Sequence, residues 1–169
     1  MELDLKLVEN FLFVKIGKAK IVDIPLKAKG ISNDYKLALE LINNELINAE
    51  QSAYLVYDDK ELIYAGYYSG SFKARWLREQ NKQYYFWHSD NVDNEVNKLL
   101  LDNKGKNITV WLSVNPYAKT EMNQIANISK VIEDKIIMKQ QPRLNKVGKD
   151  LETNKKNTKS VIEILKINE

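Results

Sequence analysis

The tightest constraint on this chain is a pair of apolar, aromatic-rich runs separated by three polar residues. Ala53-Tyr54-Leu55-Val56-Tyr57 precedes Asp58-Asp59-Lys60, and Glu61-Leu62-Ile63-Tyr64-Ala65-Gly66-Tyr67-Tyr68 follows. β-Branched and aromatic side chains suit a pleated, half-buried surface, and a connection this short joins antiparallel neighbours. The spacing predicts a β-hairpin. Ile108-Thr109-Val110-Trp111-Leu112-Ser113-Val114 is the clearest buried strand in the chain and is expected to complete a small sheet with that hairpin.

Helical signals surround these strands. Ser69 or Ser71 can cap a helix from Phe72 to about Gln80, and Val92, Val96, Leu99 and Leu100 have the spacing of a helix over 92–102. Met122, Ile125, Ile128, Ile132 and Ile136 predict a long helix from about Thr120 to Lys139, ended by Pro142. Tyr84-Tyr85-Phe86-Trp87 reads as a short strand. In the first 50 residues, Phe11–Ile16 and Lys20–Ile24 read as two strands with Gly17 between them. A helix with the stripe Leu37, Leu41, Ile42, Leu46 is expected to follow, capped by Ser32, Asn33 or Asp34. The expected fold is α/β: a small central antiparallel sheet flanked by helices, with an N-terminal αβ extension packed alongside. The expected division is an extension over 1–51, a main domain over 52–148 and a basic tail over 149–169.

Composition narrows the chemistry. A chain of 169 residues can bury a real core, and 44% hydrophobic with 29% charged residues lies in the globular range. There is no cysteine, which excludes disulfides, thiolate zinc sites and cysteine nucleophiles and fits a cytoplasmic setting. No apolar run approaches the roughly 18 residues of a membrane span, and the start MELDLKLVEN lacks the basic and apolar regions of a secretory signal. The net charge of +3 is unevenly spread: residues 135–169 carry 9 basic and 4 acidic side chains. A basic end on a near-neutral body is the pattern of concentrated phosphate contacts, and also that of a solvated lysine tail.

Individually, the candidate residues are ambiguous. Glu133 falls at the margin of the predicted helix's apolar stripe, where a carboxylate can hold a divalent cation or simply pair with a lysine. His88 is the only histidine, so any Ser-His-Asp chemistry must use it, and sites built from several histidines are excluded. Arg75 lies between Phe72 and Trp76, whose i, i+4 spacing can anchor that helix face, and a surface ion pair would suit it equally well. Gly66, inside a strand, signals a bulge or a close approach by another chain.

Together, the order Tyr54, Tyr64-Ala65-Gly66, Arg75, His88, Glu133, Pro142, Asn145 resembles the GIY-YIG nuclease superfamily. Ser52-Ala53-Tyr54 stands where the family has G-I-Y, and Tyr64-Ala65-Gly66 where it has Y-I/V-G. Ser71–Trp76 is similar to the segment with the family's helix arginine. Glu133 through Pro142-Arg143-Leu144-Asn145 is similar to its C-terminal signature. The resemblance covers about residues 52–148. Ser52 and Ala53 depart from glycine and isoleucine, and Tyr67–Gly70 is one residue longer than usual.

The resemblance implies a metal-dependent endonuclease hydrolysing phosphodiester bonds in DNA, expected to be double-stranded. Glu133 would hold one Mg²⁺ or Mn²⁺, with water and phosphate oxygens completing the shell. Arg75 would neutralise charge developing at phosphorus. Tyr64 would orient or deprotonate the attacking water, assisted by Tyr54 and His88. Gly66 and Asn145 would serve substrate binding, Asn145 alternatively fixing the glutamate region. A restriction, mobile-element or repair role fits equally, and a homodimer is one open assembly. The alternatives are a nucleic-acid-binding module that keeps the fold without turnover, and an unrelated α/β interaction protein.

Overall fold

The computed structural model describes residues 3–22, 36–42, 45–80, 83–86 and 107–145. It is mixed α/β. Eight strands form one antiparallel sheet: β1 (Leu5–Val8), β2 (Phe11–Val22), β3 (Lys36–Leu41), β4 (Ala53–Asp58), β5 (Glu61–Tyr67), β6 (Leu77–Gln80), β7 (Gln83–Phe86) and β8 (Ile108–Ser113). The order across the sheet is β5-β4-β8-β2-β3-β7-β6, with β1 paired to the first part of β2. Two short strands, β9 (Tyr117–Lys119) and β10 (Ile125–Asn127), make a separate hairpin. Among the described residues the helices are α1 (Phe72–Trp76) and α2 (Ser129–Gln140), and a 3-10 turn spans Leu46–Asn48. Among the described residues no helix is long and apolar enough to cross a membrane.

The expected hairpin and its third strand are present. β4 pairs β5 across an Asp59-Lys60 turn, Asp59 taking φ 53°, and β8 lies on the other side of β4. Each residue of β4 and of β8 is buried, as befits strands with neighbours on both edges and packing on both faces.

The N-terminal residues form no separate αβ unit in their described part. β8 needs a partner on its second edge, and β2 supplies it. Gly17 does not divide two strands: β2 runs through it, with an irregularity in its pairing to β8 between Lys15 and Gly17. A Cβ at position 17 would lie 2.6 Å from the Glu40 carbonyl oxygen, so glycine admits β3 at close range. The expected helix carrying Leu37, Leu41, Ile42 and Leu46 is also corrected. Lys36-Leu37-Ala38-Leu39-Glu40-Leu41 alternates with period two and pairs as strand β3.

Two helices begin or end elsewhere than expected. α1 stops at Trp76 because Leu77–Gln80 pairs with the aromatic strand Gln83–Phe86, which extends the edge of the sheet. The residues expected to begin the long helix instead form the β9–β10 hairpin. Asn123 adopts φ 60° in its turn, and Met122 and Ile125 are 79% and 78% exposed, so that part of the apolar stripe has no core to meet. Asn127 Oδ1 accepts the Ser129 N–H at 3.0 Å in a local turn just ahead of α2, whose N-cap residue is Ile128. Gln141, with φ 48°, and then Pro142 close it. The expected 92–102 helix, Trp87 and the 149–169 tail lie outside the described residues.

The sheet divides the core. On one face α1 sets Phe72 and Trp76 against Tyr54, Val56, Ile63 and Tyr64. On the other, α2 packs Ile132, Ile136 and Ile137 against Ala53, Leu55, Tyr57, Ala65 and Trp111.

Candidate functional site

Tyr54 and Tyr64 project from the same face of the β4–β5 ladder. Tyr54 is registered with Gly66 and Val56 with Tyr64, so the two tyrosines are diagonal neighbours. Their ring centroids are 5.9 Å apart. Trp76 of α1 meets both, at 5.4 Å from Tyr54 and 6.4 Å from Tyr64 in edge-on geometry. Tyr54 keeps 2% of its surface exposed and Tyr64 8%. The ring of Tyr54 lies against Gly66, where a Cβ would stand 2.4 Å from its Cζ and Oη. Glycine at 66 is therefore the condition for Tyr54 to occupy this place.

Arg75 is delivered by the next element. Ser71 caps α1, its Oγ accepting the Ala74 N–H at 3.1 Å, and the single turn of helix that follows buries Phe72 and Trp76. Arg75 is left on the exposed side, its guanidinium carbon 5.8 Å from the Trp76 ring centroid. It borders an open pocket of about 470 Å³ lined by Tyr67, Tyr68, Ser69, Gly70, Ser71 and Ala74. Tyr68 is buried, which pushes its phenol well above the ordinary tyrosine range, with the nearby Ser52 hydroxyl offsetting only part. Ser52 is bound to the end of β8, its Oγ 2.7 Å from Ser113 Oγ.

Glu133 projects from α2, across the sheet from the tyrosine pair. Its side chain is 13% exposed, and Lys130 Nζ stands 2.9 Å from Oε2 as an ion pair without the alignment of a good hydrogen bond. Lys130 also pairs with Asp134. Burial pushes the Glu133 carboxyl above its usual range, and Lys130 counters part of that shift. The lysine partner, the commoner arrangement for a glutamate at a helix margin, is thus present.

The two faces meet round the end of the β4–β5 hairpin. Tyr67 borders the Arg75 pocket, and Lys130 Nζ lies 5.5 Å from the Tyr67 ring centroid. Asn127 Nδ2 and Ser129 Oγ both donate to the Gln51 carbonyl, which fastens the start of α2 beside the start of β4. Tyr67 and Lys130 thus join the candidate site, although neither stood out in the sequence. Lys130 precedes Glu133 by three and Asp134 by four, the helical ion-pair spacings, a signal present within the expected helix.

Asn145 acts on β5. Its Nδ2 donates to the Ala65 carbonyl at 2.8 Å and its Oδ1 accepts the Ala65 N–H at 2.9 Å. The Leu144 N–H adds a bond to the Ile63 carbonyl at 3.0 Å. The P-R-L-N segment thereby serves as a short extra partner for the sheet edge, and it fixes the chain after α2 to the Tyr64-Ala65-Gly66 strand. Arg143 ties the same segment to the hairpin tip through Asp58 at 3.0 Å and Glu61 at 3.1 Å. His88 lies outside the described residues.

Among the described residues no group of three or more His, Asp or Glu side chains is arranged around one point. A magnesium ion held by one carboxylate and otherwise by water and phosphate needs no such group. Glu133 and Asp134 share the Lys130 ammonium, which a cation held by Glu133 would have to displace. Comparison with protein-family models, with curated proteins and with solved structures finds no match to this chain.

Proposed function

We propose that this chain is a divalent-metal-dependent DNA endonuclease that hydrolyses phosphodiester bonds with a GIY-YIG-type site. The observation that carries the reading is the packed Tyr54–Tyr64 pair, seated over Gly66, with Arg75 on the next helix at the rim of an open pocket. Arg75 can fork onto two phosphate oxygens and neutralise charge that builds at phosphorus. Trp76 and the capped turn hold it there. Tyr67, 42% exposed, brings to the pocket a phenol that can orient water, the role expected of Tyr64, while Tyr54, 6.2 Å from Tyr68, and Tyr64 are buried in the core. Asn145 and Arg143 position the tyrosine strand. Glu133 would hold the Mg²⁺ or Mn²⁺ in exchange for its contact with Lys130. When bound, the ion polarises a phosphoryl oxygen and lowers the pKa of a bound water.

Cytoplasmic DNA, expected to be double-stranded, is the partner in this reading. The basic residues of 135–169 would add phosphate contacts.

A second reading, a nucleic-acid-binding module without turnover, is favoured by one observation: Glu133 is ion-paired to Lys130 on the sheet face opposite Tyr54 and Tyr64. Two assays on one preparation separate the readings. Conversion of plasmid DNA with Mg²⁺, suppressed by chelator, is the result expected of the nuclease. Binding that weakens steeply with salt, without cleavage in Mg²⁺ or Mn²⁺, is the result expected of the module.

A further inference from the structure

We propose that the outer edge of β1 is the interface with a second copy of this chain, the two β1 strands pairing antiparallel about a two-fold axis at Leu5. Among the described residues β1 pairs only with β2, so its other edge carries none of the described strands. The phase of the backbone is set: Lys15 N–H donates to the Asp4 carbonyl at 3.0 Å, with Leu5 registered against Val14 and Lys6 against Phe13. Residues 4, 6 and 8 therefore spend their backbone groups on β2, while residues 3, 5 and 7 turn theirs outward.

Those three outward residues are Leu3, Leu5 and Leu7, at 52%, 49% and 67% exposure. A long apolar edge of this kind is a template for another strand. The charge that would guard it is turned aside. Lys6 Nζ lies over the opposite face, 3.6 Å from the Tyr57 ring centroid and 4.6 Å from that of Trp111.

The segment Leu3-Asp4-Leu5-Lys6-Leu7 is complementary to itself when reversed. With Leu5 opposite its own copy, Leu3 meets Leu7 on both sides of the axis, so all three leucines face leucines and every outward backbone group finds a partner. Asp4 and Lys6 lie on the other face, Asp4 paired with Lys15 at 3.0 Å and Lys6 over the rings of Tyr57 and Trp111, so neither charge stands against its copy. Shifting the axis to Lys6 would instead set Leu3 opposite Glu9 and leave two leucine pairs. Backbone phase and leucine matching thus select one occupant and one register. This proposal is independent of the nuclease reading.

The test is the mass of the purified full chain in solution, by light scattering over a dilution series. The expected result is twice the 19.7 kDa of one chain, with dissociation on dilution. Leu5→Lys should give a single-chain mass with an unchanged circular dichroism spectrum. The chain has no cysteine, so Leu5→Cys offers one thiol at the axis, where hydrogen-bonded antiparallel partners have Cα atoms about 5.5 Å apart, within disulfide range. Oxidation should cross-link Leu5→Cys and leave Leu7→Cys uncrosslinked, since two copies of position 7 would be about 14 Å apart along the strands. A single-chain mass for the wild type at every concentration would overturn the proposal, and is the result if another segment of the same chain covers this edge. So would a dimer indifferent to Leu5→Lys, or Leu7→Cys cross-linking as readily as Leu5→Cys. The cysteine comparison stands alone if Leu5→Lys fails to fold.

Discussion

Tyr54 lies across Gly66 so closely that a single methyl group at position 66 would sit 2.4 Å from its Cζ and Oη. The two residues are directly registered on β4 and β5, so a glycine on one strand makes room for an aromatic ring on the other. The same ring touches Tyr64, Phe72 and Trp76. Displacing it disturbs the junction between the hairpin and the helix that presents Arg75.

Gly66→Ala should therefore destabilise the fold by about 1–3 kcal/mol, the usual cost of overpacking a filled core. Urea denaturation measures it. Tyr54→Leu made in the Gly66→Ala background should cost less than Tyr54→Leu alone, because the smaller side chain removes the clash. The double-mutant cycle reads that coupling directly.

Asn145→Ala leaves both polar groups of Ala65 without their side-chain partner on a buried edge. A loss of about 2–4 kcal/mol is expected from two such groups, together with faster hydrogen exchange at the Ala65 amide. Asn145→Asp should recover only part of this, since a carboxylate can accept the N–H but cannot donate to the carbonyl.

Arg143 braces the hairpin tip by pairing with the buried Asp58 and the exposed Glu61. Arg143→Met should cost about 1.5–3 kcal/mol, the range for hydrogen bonds to charged groups. Glu61→Gln should cost under 1 kcal/mol, as expected for a solvent-exposed ion pair. Thermal or urea unfolding of the two variants distinguishes them.

Burial raises the Glu133 carboxyl above its ordinary value of 4.5, with Lys130 opposing. A group that binds its proton more tightly folded than unfolded stabilises the fold while protonated, and the contribution is lost as pH rises through the folded pKa. The stability of Glu133→Gln relative to wild type should accordingly grow as pH rises from 4.5 through the folded pKa, then level off. Urea titrations at several pH values check the sign. A difference that shrinks over that interval would show that Lys130, and not burial, governs the carboxyl.

The β4–β5 hairpin and β8 were legible because each is a local run of β-formers bounded by turn residues. What escaped the sequence was the choice between periods and between partners. Leu37 and Leu41 fit one helix face, but with Leu39 they fit one strand face equally, and only pairing with β2 decides. Met122 and Ile125 continue the spacing of Ile132 and Ile136 by coincidence. The turn chemistry of Asn123 and Asn127 overrides it. That β2 belongs beside β8 is a non-local pairing that no window of sequence contains. The candidate site follows the same division. The strand positions of Tyr54 and Gly66 are local, whereas the placing of Glu133 across the sheet from them depends on how α2 docks.

Nicking and linearisation of plasmid DNA by the purified protein with Mg²⁺, beside Arg75→Ala and Glu133→Ala, tests the proposed nuclease. Cleavage by the wild type that stops when Mg²⁺ is chelated is expected, with a loss of at least about 100-fold in either folded variant. No cleavage by folded wild-type protein with Mg²⁺ or Mn²⁺ would contradict the nuclease itself. Cleavage undiminished by Glu133→Ala would contradict the assignment of the metal to that carboxylate.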